Sequence, residues 1–574
     1  MSEELLARAR AWLAEDPDPE TRAELDGLIR RGDPEALAEL AERFAGRLEF
    51  GTAGLRAELG AGPMRMNRVV VAQAAAGLAA YLLAPVPERA AGETKGAPTV
   101  VIGYDGRKNS DVFARDTAEL MAGAGVRALL LPRMLPTPVL AFAVRHLGAD
   151  AGVMVTASHN PPRDNGYKVY LGGADAGSQI VPPADAAIEA EIARVAAGSV
   201  AALPRSEAYE VLGEEVLDAY VAETAALVAD RSPSEGSARD EGRSRIVYTP
   251  MHGVGLETFA RAAAAAGLPE AIVVAEQAEP DPAFPTVAFP NPEEPGALDL
   301  AVALAAREDA DLIVANDPDA DRLAVAIPDA AAESGWRRLT GNEVGLLLGW
   351  AAAKAFAGAN PGRESEGVLA SSLVSSPGLS AIAAAWGLRH VETLTGFKWI
   401  SRVPGLVFGY EEALGYLVDP AKVRDKDGIS AAIRFVGLVG EWREQGLGVD
   451  DCLGRIAERV GGFASGQVAI RVTELAQIQR ITARLRAEPP AVIAGRAVTA
   501  AEDFLAGVGG FPASDILRYA LADGSRVIVR PSGTEPKLKI YLDARSDEGT
   551  GAERLAAARA AIRELEDGIA ALLG

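Results

Sequence analysis

The stretch LIVANDPDADR places three aspartates, Asp317, Asp319 and Asp321, at alternate positions of one short loop. Three carboxylates at this density repel one another unless a cation lies between them, and hard oxygen donors suit Mg²⁺ or Ca²⁺. A calcium EF-hand loop needs Gly at position six and Glu at position twelve, where this chain has Arg322 and Pro328. An Asp-rich turn is the simpler alternative. Arg322 favours the metal site, because a fixed cation there is useful only when a further anion such as phosphate arrives.

A second candidate for chemistry is Ser158 in VMVTASHNPP, where a short apolar run ends in a polar loop. His159 is adjacent, but the chain has only four histidines and no G-x-S-x-G elbow here, which disfavours a Ser-His-Asp hydrolase. A phosphorylated serine would add nearly two negative charges and three acceptor oxygens, one of which could complete the Mg²⁺ site. Taken alone, Ser158 would be a helix-cap serine and His159 a packing or capping residue. Lys168, on the following strand, could balance charge or move a proton.

The elements that must position these loops alternate along the chain. Short β-rich runs that end in polar, Gly-rich or Pro-rich loops and precede Ala/Leu helices recur in TVVIGYDGRKNS, AGVMVTASHNPP, SRIVYTPMHGVG, ADLIVANDPDADR and LVFGYEEALGY. This alternation predicts α/β domains with parallel or mixed sheets, whose ligands gather at the carboxyl ends of the strands. GQVAIRVTEL and SRVIVRPSGTEPKLKIYLDAR alternate like antiparallel strands before a closing helix, which predicts a smaller α+β domain at the C-terminus.

Composition limits the classes of partner. The chain has 574 residues, too many for one hydrophobic core, and its 57 basic and 80 acidic residues give a net charge of −23. That balance argues against nucleic acid and anionic membranes as partners but leaves phosphorylated small molecules open. The single cysteine, Cys452, excludes an intrachain disulfide. Apolar spacing predicts helices at the N-terminus, and the polar stretch 229–245 is predicted to be a linker. Because the sequence shows no secretion signal or membrane span, we expect a cytoplasmic protein.

Four motifs in this order resemble those of the α-D-phosphohexomutases, a family that includes phosphoglucomutases and phosphomannomutases. TASHNPPRDNGYK is similar to the family's phosphoserine loop, DPDADR to its metal loop, GYEEALGY to its sugar-recognition loop and RPSGTEPKLKIYL to its phosphate-binding loop. FGTAGLR and TLTGFKWI add two further matches. The resemblance spans nearly the whole chain.

The resemblance implies three α/β/α domains with mixed sheets around a cleft, and a smaller C-terminal domain resembling the TATA-box-binding protein. On this basis we place the N-terminal helices and first domain at 1–212, the second at 213–328, the third at 329–457 and the fourth at 458–574. These domains carry the phosphoserine, metal, sugar-binding and phosphate-binding loops in that order.

The resemblance also implies an enzyme, an isomerase that interconverts hexose 1-phosphate and hexose 6-phosphate, most simply of glucose. Phosphorylated Ser158 would give its phosphoryl group to the sugar and recover another from a bisphosphorylated intermediate. Mg²⁺ and glucose 1,6-bisphosphate are the implied cofactors, and a phosphosugar is the implied partner. A phosphopentomutase or phosphomannomutase with the same mechanism, a phosphatase of the haloacid-dehalogenase type and a non-catalytic sugar-phosphate-binding protein are the alternatives.

Site residues carry over onto the matched motifs. The implied catalytic residues are Ser158, His159, Lys168 and Arg56. The implied metal ligands are Ser158, Asp317, Asp319 and Asp321. The implied substrate-binding residues are Arg322, Lys398, Glu411, Glu412, Arg530, Ser532, Gly533 and Thr534. Lys168 is the expected acid/base on family analogy, and to act as a base it would need a depressed pKa, which nearby cations could provide.

Two of these motifs also have simpler readings. In RPSGTE, Gly and short hydroxyl side chains would expose backbone N–H groups to an anion, and Arg530 would add a planar fork, whereas the alternative is a hairpin turn. The adjacent acids Glu411 and Glu412 could form a solvated helix start, with only Glu411 facing a sugar. The chain departs from some relatives at three positions of these motifs: it has Ala413 in place of Ser, and Tyr416 and Phe397 each in place of His. This pattern resembles the branch of the family that also contains phosphopentomutases.

Overall fold

The structure, a computed structural model, describes residues 2–52, 54–84, 96–228, 244–472, 475–531 and 537–573. Contacts divide the chain into two compact units, the first formed by 1–338 with 419–437 and the second by 339–418 with 438–574. The predicted linker at 229–245 lies, except for its last two residues, outside the described residues.

Helices open the first unit, as the N-terminal apolar spacing predicts. Asp18 and Asp33 each accept a backbone N–H at the start of a helix whose first residue is proline, a combination that favours helix initiation. The apolar faces meet in a small core that includes Ala9, Leu25 and Leu40. These helices are α1 (Ser2–Glu15), α2 (Pro19–Arg31) and α3 (Pro34–Arg43).

The first sheet is mixed. Its described strands are β1 (Leu55–Glu58), β2 (Thr99–Tyr104), β3 (Arg127–Leu130), β4 (Ala151–Val155), β5 (Asp164–Leu171), β6 (Ser178–Gln179) and β7 (Glu210–Val211), and its helices are α4 (Arg68–Leu83), α5 (Ser110–Gly123), α6 (Thr137–His146), α7 (Ala184–Ala196) and α8 (Glu215–Ala226). The order is β1-β5-β4-β2-β3-β7, with β6 beside β5. Strands β4, β2, β3 and β7 run parallel, whereas β5 is antiparallel to β1, β4 and β6. Every residue of β4 is buried, as suits a central strand.

The second sheet is also mixed. Its described elements are β8 (Ile246–Thr249), α9 (Gly255–Ala265), β9 (Ile272–Val273), α10 (Asp299–Arg307), β10 (Leu312–Asn316), β11 (Leu323–Pro328) and β12 (Trp336–Arg338). The order is β12-β11-β10-β8-β9, and β10 runs parallel to β8 but antiparallel to β11. Strand β10 is wholly buried, so its carboxyl end delivers the acidic loop from a rigid core.

The third sheet belongs to the second unit. Its described elements are α11 (Gly341–Ala359), β13 (Val368–Ser372), α12 (Gly378–Ala385), β14 (Arg389–Thr393), α13 (Phe397–Ile400), β15 (Leu406–Glu411) and β16 (Gly415–Leu417), followed by α14 (Gly428–Glu444) and α15 (Val449–Val460). The order is β14-β13-β15-β16, parallel except for the final hairpin.

The fourth sheet is antiparallel throughout its described strands, as the alternating C-terminal pattern predicts. Its elements are β17 (Gly462–Arg471), α16 (Leu475–Ala487), β18 (Val492–Ile493), β19 (Arg496–Asp503), β20 (Leu517–Leu521), β21 (Arg526–Pro531), β22 (Lys537–Ser546) and α17 (Gly551–Leu573). The order is β17-β22-β21-β20-β19-β18. The predicted fold class, three mixed α/β sheets and a smaller α+β region, is confirmed. The proposed boundaries of the four domains remain a prediction, and β12 extends the second sheet to Arg338.

Segment 419–437 lies in the first unit although the third sheet precedes it in sequence. Lys422 is buried and donates to Thr224 of α8, and its ammonium lies 3.2 Å from Asp427. Asp425 accepts hydrogen bonds of 2.8 Å from both Tyr170 and Gln179. These buried polar contacts fix the segment against the first sheet. Among the described residues, no helix combines the length and apolar character that a membrane crossing requires.

Gly428, the first residue of α14, gives a test of this packing. A Cβ at this position would lie 2.3 Å from the carbonyl oxygen of Arg322 and 2.8 Å from that of Ala320, in the acidic loop. We expect Gly428→Ala to destabilise the first unit by about 1–3 kcal/mol, because the backbones must separate. A lower midpoint of urea unfolding would show this.

Gly27→Ala is the matched control, since Gly27 lies within α2 and, apart from its own stretch of helix backbone, no described atom comes within 4 Å of its Cβ position. There we expect a gain of roughly 0.5–1 kcal/mol from helix propensity. An unchanged midpoint in Gly428→Ala would contradict the tight approach of α14.

Candidate functional site

Two loops predicted from separate motifs meet in the first unit. The Ser158 hydroxyl, which follows β4, donates a 3.0 Å hydrogen bond to Oδ2 of Asp317, which follows β10. These residues are 159 positions apart in sequence. Both side chains are buried. The serine loop and the acidic loop therefore form one site.

Ser158 has an unusual backbone. Its φ is +53°, in the left-handed region that costs a non-glycine residue roughly 1 kcal/mol or more. Its N–H donates to Oγ1 of Thr156 at 2.9 Å. The residues after it form turns that lead into β5 rather than a helix, so the helix-cap interpretation is wrong.

The acidic loop is a compact carboxylate cluster. Asp317, Asp319 and Asp321 are completely buried, and one oxygen from each lies within 4.8 Å of the others. Oδ1 of Asp319 and Oδ1 of Asp321 are buried and accept no hydrogen bond from any described residue. Buried carboxylate oxygens without donors are costly. Hard, anionic oxygen ligands at this spacing fit a divalent cation such as Mg²⁺.

The surroundings of this cluster shift the pKa values of Asp317 and Asp321 in opposite directions. Burial, reinforced by the charges of Asp319 and Asp321, holds the pKa of Asp317 well above its usual range. Burial also acts to raise the pKa of Asp321, but neighbouring cations, Lys168 first among them, outweigh it and hold this pKa below its usual value. The protein's own cations thus balance part of the cluster, and a bound cation would favour the ionised form of Asp317.

Lys168 contacts the cluster directly. Its ammonium donates to Asp319 at 2.8 Å and to Asp321 at 3.0 Å. Burial acts to lower the pKa of Lys168, but these carboxylates outweigh it and raise this pKa above its usual value. These surroundings do not provide the depressed pKa that Lys168 would need to act as a base, because its nearest charged partners are anions.

Two further cations face the cluster. Arg322, predicted from sequence, has Nε 4.0 Å from Asp317 and 3.8 Å from Asp321, and its backbone N–H donates to Asp317 at 3.0 Å. Lys426 was not predicted, yet its ammonium lies 3.2 Å from Asp321. Lys426 is buried and belongs to segment 419–437, so no local motif places it beside the acidic loop.

The remaining predicted catalytic residues lie nearby. Nδ1 of His159 is 3.4 Å from the Ser158 hydroxyl and 3.9 Å from Asp317. Burial and the charges of Arg322 and Arg56 lower the pKa of His159 well below its usual value, so its ring is neutral near pH 7. Arg56 is an exposed residue of β1, opposite Gly166 of β5.

Thr137 is a site neighbour that sequence reasoning missed. Its hydroxyl donates to Oδ2 of Asp319 at 2.7 Å and its N–H donates to the Asp319 carbonyl at 2.9 Å. Thr137 is the first residue of α6 and is completely buried. It orients a candidate metal ligand from behind.

In the second unit, the predicted sugar-binding residues surround the end of β15. Glu411 is buried and accepts a 2.6 Å hydrogen bond from the N–H of Gly396, in the loop that precedes Lys398. Glu412 accepts from the hydroxyls of Ser372 and Ser375 at 3.1 and 3.0 Å. The helix-start alternative for the two acids is wrong, because Glu411 ends a strand whose hairpin continues into β16.

The predicted phosphate-binding loop is described only in part. Arg530 lies near the end of β21, opposite Lys539 of β22. Ser532, Gly533 and Thr534 lie outside the described residues. Their backbone cradle therefore remains a prediction.

Comparison with known families gives matches along most of the chain. Residues 47–198, 218–330 and 340–454 match the models "Phosphoglucomutase/phosphomannomutase, alpha/beta/alpha domain" I, II and III. Residues 468–562 match the C-terminal domain of the same set. The serine loop, the acidic loop, the Glu411 hairpin and Arg530 all fall within these matches.

Individual proteins are similar over nearly their full length. A Haemophilus influenzae protein named "Probable phosphomannomutase" is 53% identical over 510 residues, which cover 89% of this chain and 98% of that protein. A Mus musculus protein named "Phosphopentomutase" is 35% identical, with 93% and 89% covered. A crystal structure of a phosphoglucomutase/phosphomannomutase family protein from Burkholderia thailandensis has a TM-score of 0.62 at 20% identity, with 90% and 97% covered, which shows a shared fold.

Thr137→Val tests the support behind Asp319. The substitution keeps the backbone N–H bond but removes the hydroxyl that orients the carboxylate, so we expect about 10- to 100-fold weaker Mg²⁺ binding. Isothermal titration of the purified full chain with MgCl₂ measures this.

Thr258→Val is the control, because the Thr258 hydroxyl is buried with no hydrogen-bond partner among the described residues. It should bind Mg²⁺ like the parent protein. Equal Mg²⁺ affinity in Thr137→Val and Thr258→Val would remove Thr137 from the support of the site.

Proposed function

We propose that this chain, which belongs to the phosphoglucomutase/phosphomannomutase family, moves a phosphoryl group between O1 and O6 of a hexose, with glucose as the sugar. The observation that carries the proposal is the 3.0 Å hydrogen bond from the Ser158 hydroxyl to Asp317. It holds a hydroxyl that can carry phosphate against a carboxylate cluster that fits a divalent cation.

The proposed cycle uses phosphorylated Ser158. In the first half, the bond between phosphorus and Ser158 Oγ breaks while a bond from phosphorus to O6 of glucose 1-phosphate forms. The sugar hydroxyl loses one proton and Ser158 Oγ gains one. Glucose 1,6-bisphosphate then reorients, so that its other phosphate faces Ser158. That phosphoryl group is transferred to Ser158 by the reverse chemistry. Free glucose 1,6-bisphosphate would prime the unphosphorylated chain.

Asp317, Asp319 and Asp321 would hold Mg²⁺, and an oxygen of the phosphoryl group on Ser158 would join them as a ligand. When bound, the ion supplies positive charge to the phosphoryl oxygens, which is the main requirement of phosphoryl transfer. Oδ1 of Asp319 and Oδ1 of Asp321, which accept no hydrogen bond from any described residue, support this assignment.

The protein's cations would balance the remaining negative charge. Lys168 lies 2.8 Å from Asp319, Lys426 lies 3.2 Å from Asp321, and Arg322 Nε lies 4.0 Å from Asp317. We assign them to offset the added charge of phosphoserine, with Arg56 as a further cation toward the substrate. Fixed charges in a buried site need no reorganisation during reaction. His159, neutral and 3.4 Å from Ser158 Oγ, is assigned a positioning role.

Substrate recognition is assigned to the second unit. Glu411 would accept hydrogen bonds from sugar hydroxyls, with Lys398 as a further substrate contact. Glu412 is engaged by Ser372 and Ser375, which supports Glu411 as the sugar-facing acid of the pair. Arg530 with Ser532, Gly533 and Thr534 would hold the phosphate that does not react.

Replacing Ser158 separates the mutase from a phosphatase in which Asp317 is the nucleophile. We expect Ser158→Ala to lose mutase activity by more than about 10³-fold, because no phosphoryl carrier remains. Coupled assays of glucose 6-phosphate formation and of phosphate release measure both activities. Full phosphate release by Ser158→Ala would favour the phosphatase.

The control is Ser206→Ala, a residue whose hydroxyl caps a local turn. Intact-mass measurement should find one added phosphate on the parent and on Ser206→Ala after incubation with glucose 1,6-bisphosphate, and none on Ser158→Ala. A parent chain that never takes up phosphate would contradict the mutase and favour a binding protein.

The sugar is tested by comparing kcat/KM for glucose 1-phosphate, mannose 1-phosphate and ribose 1-phosphate with the parent protein. We expect glucose 1-phosphate to be the best substrate. The names of the Haemophilus influenzae and Mus musculus relatives make mannose and pentose the alternatives that must be measured. A higher kcat/KM for either would reassign the substrate and leave the phosphoserine chemistry unchanged.

A further inference from the structure

Arg107 holds the serine loop from behind. Its guanidinium donates to four backbone carbonyls, those of Ser158 at 2.6 Å, Asn160 at 2.6 Å, Pro161 at 2.8 Å and Asp164 at 3.1 Å. It lies in the loop between β2 and α5 and is buried. One side chain therefore spans the whole turn from the candidate phosphoryl carrier to the start of β5.

The serine loop needs such an external donor because of its sequence. Pro161 and Pro162 have no backbone N–H, so the turn has few amide donors of its own; of the four carbonyls, that of Pro161 also accepts the N–H of Asp164 at 3.0 Å. A guanidinium offers five N–H donors in a fixed plane. Lysine would offer three donors around a point charge, and it cannot reproduce this arrangement.

Arg107 is itself fixed on other sides. The carboxylate of Asp105 lies 3.6 Å from its Nε, and Asp105 accepts from the Ser110 hydroxyl at 2.7 Å. The ring centroid of Phe284 lies 5.1 Å from the guanidinium carbon, within cation–π range. A guanidinium held by an anion and an aromatic ring has little freedom to let the loop relax.

The contact to the Ser158 carbonyl also fixes the orientation of the serine. Because a peptide unit is planar, directing this carbonyl at Arg107 turns the N–H of His159 away from Arg107. Ser158 itself has φ +53°, a conformation that an L-residue adopts only when its surroundings impose it. In this conformation the hydroxyl meets Asp317 at 3.0 Å.

We propose that Arg107 is a positioning residue that fixes Ser158 in the conformation required for phosphoryl transfer. This inference rests on the proposed role of Ser158 as phosphoryl carrier. Arg107 acts through the loop backbone, because all four of these hydrogen bonds are donated to backbone carbonyls. Its removal should slow the chemical step and leave sugar binding in the second unit intact.

The test compares Arg107→Lys and Arg107→Ala with Arg163→Ala. Arg163 is the matched control, because it lies in the same loop but its exposed side chain pairs with Glu58. For each full-length protein, quench-flow with intact-mass detection gives the rate of Ser158 phosphorylation by glucose 1,6-bisphosphate. Steady-state assays give kcat and KM for the best sugar 1-phosphate, and thermal unfolding gives the folded fraction.

For Arg107→Lys we expect roughly 10- to 100-fold slower phosphorylation and an equal loss in kcat, the size that small misplacements of reacting groups produce. KM should change less than about twofold, since sugar binding is unaffected. Millimolar guanidinium should raise the rate of Arg107→Ala several-fold and leave Arg163→Ala unchanged.

Phosphorylation of Arg107→Lys at the parental rate would overturn the inference. Losses that follow the folded fraction, with no rescue by guanidinium, would also overturn it, because they describe a merely structural residue. A parent protein that takes up no phosphate would remove the proposed function and this inference together. If the parent protein is phosphorylated and Arg107→Lys is phosphorylated at the same rate, only this inference is removed and the proposed function stands.

Discussion

The repulsion among three buried carboxylates is the constraint on which the first unit's site depends. Asp317, Asp319 and Asp321 are fully buried within one short turn, and two of their oxygens meet no donor among the described residues. Ionised groups in such surroundings are stable only beside opposite charge. Lys168 and Lys426 supply part of it. A divalent cation would supply the rest, and in the proposed function it would also offset the charge of a phosphoryl group on Ser158.

Close packing of the backbone against the acidic turn also sets this geometry. α14 begins with Gly428 against the acidic turn, and it brings Lys426 to Asp321. Thr137, at the start of α6, holds Asp319 from another side. Each contact joins elements that are distant in sequence. Side chains held in this way would need little reorganisation in the proposed phosphoryl transfer.

Sequence alone predicted the groups whose chemistry is local. Ser158 and the aspartates could be recognised because each motif carries an unusual residue pattern, and the expected pairing of the two loops followed from charge. Lys426 and Thr137 could not be found in this way, because nothing near them in sequence shows that they approach the acidic loop. The raised pKa of Lys168 could not be read from sequence for a similar reason: tertiary packing sets which charged groups lie nearest to it. Arg107 was also missed, although the sequence held a signal for it. The consecutive prolines in HNPP leave the loop with few amide donors of its own, which favours a donor from elsewhere in the chain.

The most direct measurement follows one phosphoryl group. The chain is charged with ³²P on Ser158, freed of excess bisphosphate and mixed with unlabelled glucose 1-phosphate for a single turnover in the presence of Mg²⁺. If Ser158 is the carrier, the label leaves the protein and appears in glucose 1,6-bisphosphate and glucose 6-phosphate as fast as product forms. Label that stays on the protein while glucose 6-phosphate accumulates would contradict transfer through Ser158.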